Sequence, residues 1–233
     1  MFCYTEFKGR SHRLIPSRYP PISLFDWAET SEELEQLAYL EGLTNDRLIT
    51  EYGHISLVAK EDWIGGVGST PLMAAFTHFG FSRFSDGTSY GVYYAGESIR
   101  TAIAETKFHR ERFLTASQEP PCVIQMREYV ALVKKPLVNL CSNEHKDYLD
   151  PDVNSYEKSQ QLGREIKRQN EWGILYPSVR NNAPEAKCLA IFRPPALTLP
   201  VQAGHYDYIW DGKTICEVRK SIQMRHESAA SLL

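Results

Sequence analysis

The chain has 233 residues, 42% hydrophobic and 24% charged, with a formal net charge of −3. A chain of this size and composition folds around a core that needs no disulfide or metal staple. Its weak acidity excludes charge-driven binding to nucleic acid across a broad surface, but not a local cationic pocket for a phosphorylated small molecule. Five widely spaced cysteines without a C-x-x-C pair are poor material for a disulfide framework or a zinc site, and fit a reducing cytoplasm. The first residues lack the apolar run of a signal peptide, and no stretch approaches membrane-spanning length. A soluble, cytoplasmic protein is expected.

Residues 10–25 carry three prolines and read as an extended, irregular lead-in. Thr30 and Glu33 have capping-box spacing ahead of a helical face of Leu34, Leu37 and Ala38, which Gly42 stops. The run Gly65-Gly66-Val67-Gly68-Ser69-Thr70 leads into a helix but lacks G-K-[ST] and a preceding strand. It reads as a flexible loop with Thr70 as the cap, rather than as a phosphate cradle. Pro71 opens that helix, and Leu72, Ala75, Phe76 and Phe79 form its stripe. A turn at Ser85-Asp86-Gly87 precedes a strand from Tyr90 to Ala95. Ser98 then caps a helix that buries Ile99, Ala102, Ile103 and Thr106.

Residues 121–134 are mostly strand, and 155–170 form a polar helix. Short strands follow at Gly173 to Tyr176 and Lys187 to Phe192. A hairpin of Tyr206 to Trp210 and Lys213 to Arg219 turns at Asp211-Gly212. The tail from Met224 is polar and frayed. Strands and helices mix without βαβ alternation, which predicts an α+β fold. The expected division is an accessory region, residues 1–69, packed outside a core domain, residues 70–223, with a tail at 224–233.

Single residues say little. His109 shares a helix face with Glu105, but no third ligand stands at metal-site spacing, so no metal is expected. Arg110 and Arg112 read as a solvated helix end. Taken one at a time, Arg83 is a surface cation, Glu105 a solvated carboxylate and Ser178 a turn serine.

Their combination is more specific. R-F-S-D-G at 83–87, Y-A at 94–95, A-I-A-E at 102–105 and Y-P-S-V-R at 176–180 occur in that order. Together they resemble the RES-domain family, the toxin half of Xre–RES toxin–antitoxin pairs, over about residues 70–200. The resemblance implies an ADP-ribosyltransferase-like fold, with a split, mainly antiparallel sheet and flanking helices enclosing a cleft. NAD+ enters that cleft as substrate, and no cofactor is implied. Arg83 would bind a phosphate of NAD+, and Tyr94 would stack on nicotinamide or cap the ribose. Glu105 would stabilise the charge that develops as the glycosidic bond loosens. Ser178 would hydrogen-bond the carboxamide or a ribose oxygen. Tyr93 and Tyr94 face opposite ways on a strand, and the motif spacing selects Tyr94. Arg180 either adds a second phosphate contact or is a surface arginine.

The implied reaction is cleavage of the nicotinamide–ribose bond, by a glycohydrolase or phosphorylase. A protein ADP-ribosyltransferase toxin and an inactive nucleotide-binding module are the alternatives. The implied partner is an Xre-type helix-turn-helix antitoxin that occludes the cleft in a hetero-oligomer. Neither direct nucleic-acid binding nor membrane binding is implied.

Overall fold

The computed structural model describes residues 2–17, 26, 28, 30, 33, 36 and 54–221. The helical face expected after Thr30 and the tail from Met224 lie outside those residues. The capping box itself lies within them. The Glu33 amide donates to Thr30 Oγ1, and the Thr30 amide donates back to Glu33, each at 3.2 Å.

The strands, in chain order, are β1 (Tyr4–Thr5), β2 (Arg10–Pro16), β3 (Phe81–Ser82), β4 (Ser85–Asp86), β5 (Tyr93–Gly96) and β6 (Cys122–Leu132). They continue with β7 (Leu137–Asn139), β8 (Gly173–Pro177), β9 (Lys187–Ile191), β10 (Val201–Trp210) and β11 (Ile215–Ser221). Nine of them form one sheet in the order β1-β7-β8-β9-β5-β2-β6-β10-β11, and β3 and β4 make a separate small hairpin. Every neighbouring pair in the large sheet is antiparallel except β7 and β8. The two halves meet at β5 and β2 through a single pair, His12 opposite Gly96. The split in the sheet lies at that seam. With three helices packed on this sheet, the described chain is α+β.

The N-terminal region corrects the sequence reading. Residues 10–16, expected to be an irregular lead-in, form β2 and pair with β6 from Arg10↔Leu132 to Pro16↔Met126. This strand sits mid-sheet rather than on the outside of the core. Its burial does not alternate cleanly, and Pro16 stands at its last position, so no period-2 signal betrayed it. β1 likewise joins the sheet, at its edge beside β7.

Helices α1 (Thr70–Thr77), α2 (Ile99–Ala116) and α3 (Glu157–Arg168) divide between the two faces. Leu72, Met73 and Phe76 of α1 pack with Tyr93, Leu175, Leu189 and Ile191 on one face. On the other, Leu162 and Ile166 of α3 pack with Ile174, Tyr176, Cys188 and Ala190. α2 covers the second half of the sheet through Ala102 and Leu114, against Leu14, Met126 and Tyr208. The alternation of β5, β8 and β9 thus sorts one set of side chains under α1 and the other toward α3.

Several local expectations change. Asp26, not Thr70, caps α1, accepting from the Thr70 amide at 3.0 Å and from Thr70 Oγ1 at 2.8 Å. Burial works against its charge, but hydrogen bonds from Thr70, Gly68 and Ser69 outweigh that and hold its carboxyl below the usual range. The anion position at this helix end is filled by the chain's own carboxylate. Phe79 falls beyond α1 and stacks on His54 instead. Trp210 pairs with Ile215, so the last hairpin closes with four residues, where Asp211 Oδ1 accepts from the amides of Lys213 and Thr214.

Candidate functional site

The four motifs meet on the face of the sheet that carries α2 and α3. R-F-S-D-G forms the β3–β4 hairpin. Phe84 is fully buried and meets Tyr176 edge-on at 5.1 Å, while Ser85 Oγ donates to the Tyr90 carbonyl at 3.0 Å. Gly87 turns the chain at a φ of +81°, in the left-handed region that favours glycine. Asp86 closes the loop through Thr88 and an ion pair with Arg164 of α3 at 2.9 Å. Arg83 is thereby projected inward, only 6% exposed.

Its guanidinium is already engaged. Arg83 Nη1 donates to the carbonyls of Asp150 at 2.8 Å and Tyr148 at 3.4 Å. Nη2 reaches the Tyr156 hydroxyl at 3.4 Å, and the group lies over the Tyr156 ring at 4.5 Å. A fork expected to wait for phosphate is thus tied to the main chain of residues 148–150.

Tyr94 lies on the same face as Tyr176, Cys188 and Ala190, opposite Ala190 in the ladder. Its hydroxyl accepts from the Phe84 amide at 3.0 Å and lies 2.9 Å from Ser82 Oγ. Burial pushes the phenol up to about 12, against the hydrogen bonds from Ser82 and Phe84, so it remains a neutral hydroxyl. Tyr93 points the other way. It is fully buried, stacks on Phe76 at 6.4 Å and lies under α1.

A-I-A-E lies in the first half of α2, whose N-cap Ser98 accepts from the Thr101 amide at 3.2 Å. Ala102 seats the helix, and Glu105 comes one turn later toward β8 and β9. Ser178 follows the last residue of β8, and its Oγ donates to Glu105 Oε1 at 2.6 Å. The same Oγ accepts from the amides of Arg180 and Asn181 at 3.2 and 2.9 Å, so the serine is held as well as holding. Asn181 ties this turn to α2 through Thr101 Oγ1 at 2.9 Å.

Glu105 and Ser178 are therefore in direct contact, and Arg83 and Tyr94 adjoin them through Tyr176. Burial first, then the charges and phenols of Cys188, Glu105 and Tyr94, push the Tyr176 hydroxyl well up, while Arg83 pulls it down. Four residues up to 95 positions apart share one electrostatic neighbourhood. His109, one turn beyond Glu105, is exposed. Among the described residues no group of three or more His, Cys, Asp or Glu is placed to hold a metal.

An open groove of about 450 Å³ adjoins the cluster, lined by Phe108 and Arg112 of α2, Arg180 and residues 151–154. Arg180 lies over the Phe108 ring at 3.4 Å and donates to the Pro151 carbonyl. Sequence reasoning missed Tyr156, which stacks on Arg83, and Cys188, whose sulfur lies 3.4 Å from Glu105 Oε1. Tyr176 stood inside a quoted motif without a role. Asn181, one residue beyond that motif, was not singled out.

The RES domain family model matches residues 57–211. The uncharacterized protein y4oC of Sinorhizobium fredii is 30% identical over 210 residues, covering 89% of this chain and 86% of that one. The chain belongs to the RES domain family. Among solved structures, the M. tuberculosis MbcT–MbcA toxin–antitoxin complex contains a chain at 8% identity and a TM-score of 0.46, covering 88% of this chain and 86% of that one. No helix among the described residues is long and apolar enough to cross a membrane.

Proposed function

We propose that this RES-domain protein is a toxin that degrades NAD+ by breaking the bond between nicotinamide and ribose. The observation that carries the reading is the state of Glu105. Its Oε1 is taken by Ser178 at 2.6 Å, while no described residue donates to Oε2. That oxygen is left to accept a ribose hydroxyl and to face the positive charge that grows on the sugar as the bond loosens.

In the bond-breaking step the electron pair of the C–N bond returns to the pyridinium nitrogen, so nicotinamide leaves neutral and needs no strong acid. The acceptor oxygen forms the new bond to the sugar carbon; water then gives up a proton to solvent, whereas phosphate attacks through an oxygen that carries none. Tyr94, a neutral phenol on the cleft side of β5, is suited to orient the leaving ring or the ribose. Arg83 is suited to a phosphate oxygen once the carbonyls of residues 148–150 give way, because a charged oxygen is the stronger acceptor. Ser178 keeps Glu105 in place. Arg112 and Arg180, which line the groove together with Asp152, favour a small anionic acceptor or the diphosphate there.

A protein that consumes NAD+ inside its own cell requires a restraint, and the proposed one is an Xre-type helix-turn-helix antitoxin whose chain end meets Arg83. Expressed alone, the chain should arrest growth as cellular NAD+ falls. Co-expressed with that partner, it should form a complex in which NAD+ is stable. Growth arrest with undiminished NAD+ would overturn the reading. Product analysis assigns the acceptor: free ADP-ribose for water, ADP-ribose 1-phosphate for phosphate, and a labelled polypeptide for a protein.

A further inference from the structure

Glu105 is touched by a second donor that belongs to none of the four motifs. Cys188 lies in β9, 2% exposed, directly opposite Tyr176 of β8. Its Sγ donates to Glu105 Oε1 at 3.4 Å, the same oxygen that takes the Ser178 proton. A carboxylate held by one hydrogen bond can pivot about it. Two donors converging on one oxygen from different elements, a strand and the turn after another strand, fix the direction in which the other oxygen points. No described residue donates to that other oxygen.

We propose that Cys188 is a positioning residue for Glu105: its S–H holds Oε1 so that Oε2 is the atom presented to substrate. This rests on the reading of Glu105 as the charge-stabilising carboxylate. The thiol suits the task because it keeps its proton. Burial pushes Cys188 well above the usual thiol range, and the neighbouring Glu105 charge adds to this. It is therefore a donor at neutral pH rather than a nucleophile. Tyr176 stands opposite Cys188 in the ladder between β8 and β9. The competing role is packing, since Cys188 also belongs to the apolar cluster with Val92, Ala190 and Phe192. A packing role asks only for volume, whereas a positioning role asks for a proton.

The test uses the purified full-length chain, with C188S keeping a donor and C188A and C188V removing it. Loss of one positioning hydrogen bond corresponds to about tenfold in rate. C188A and C188V should lose that factor in kcat with KM for NAD+ little changed, and C188S should keep most of the activity. A second readout does not depend on activity. The infrared S–H stretch of Cys188, assigned by difference against C188A, should lie at reduced frequency in the wild type and move up in Glu105→Ala. Wild-type kcat in C188A, a C188S as slow as C188A, or an S–H band that Glu105→Ala leaves unmoved would each overturn the proposal. A chain that does not consume NAD+ at all would defeat the functional reading, and the S–H band would still decide the contact.

Discussion

Glu105 takes its hydrogen bonds from two side chains, Ser178 at 2.6 Å and Cys188 at 3.4 Å, and each is anchored by a strand of the central sheet. Arg83 gives its own to the carbonyls of Tyr148 and Asp150 and to the Tyr156 hydroxyl, in and around a segment with two short 3-10 turns. The first arrangement is fixed by strand register and by the packing of α2 on the sheet. It changes only if the sheet changes. The second depends on a solvent-facing segment, in which Asp150, Pro151, Asp152 and Asn154 are all exposed. Such segments open at small cost compared with a core strand. On the proposed function, the first end holds the carboxylate in place for chemistry, and the second would exchange a carbonyl for a ligand oxygen.

The largest expected effect strikes the rigid end. Glu105→Gln keeps shape and both donors' neighbourhood but removes the charge. NAD+ turnover should fall by roughly a hundredfold, about 3 kcal/mol, with little change in melting temperature. Rates measured beside thermal unfolding check both halves of that statement, and an unchanged rate would remove Glu105 from the mechanism.

Next comes the packing that connects the two ends. Gly163 of α3 lies against the Phe84 carbonyl, where a Cβ would collide with main chain. Gly163→Ala should push α3 off the hairpin that carries Arg83, at about 1–3 kcal/mol of stability. Denaturant unfolding measures it. A variant as stable as the wild type would show that the hairpin is not clamped there.

A smaller effect belongs to the exposed end. In Glu105→Gln, which turns NAD+ over far more slowly, NAD+ should speed amide exchange across residues 148–152 as their carbonyls leave Arg83. Slower exchange in that segment would mean that it closes on the ligand instead. Smallest of all, Arg180→Ala removes a half-buried cation over Phe108, worth about 0.5–1 kcal/mol. It should shift KM for NAD+ or phosphate by a few-fold and leave kcat nearly unchanged, as steady-state kinetics would report.

The same contrast explains what could be read from the sequence. Arg83, Tyr94, Glu105 and Ser178 could be singled out because each stands in a short motif and the motifs come in order, while alternation showed only that Tyr93 and Tyr94 face opposite ways and the motif spacing chose Tyr94. α2 was legible from Ser98 and the apolar spacing behind it, and the final hairpin from Asp211-Gly212. β2 was not, since Arg10–Pro16 neither alternates cleanly nor lacks proline, and its place mid-sheet is set by long-range pairing with β6. The partners of Arg83 were not legible either. Two of them are carbonyl oxygens, which every residue possesses, so no side-chain pattern marks them. Cys188 sits in an apolar strand run where a cysteine looks like any small core residue until Glu105 is placed beside it.

On the proposed function this cluster cleaves NAD+ at the nicotinamide–ribose bond. The most direct measurement incubates the purified chain with NAD+ and follows both halves of the molecule by NMR, with and without inorganic phosphate. One nicotinamide should appear for each NAD+ lost, together with one ADP-ribose or ADP-ribose 1-phosphate. NAD+ that stays intact at high protein concentration, or is lost without release of nicotinamide, would contradict it.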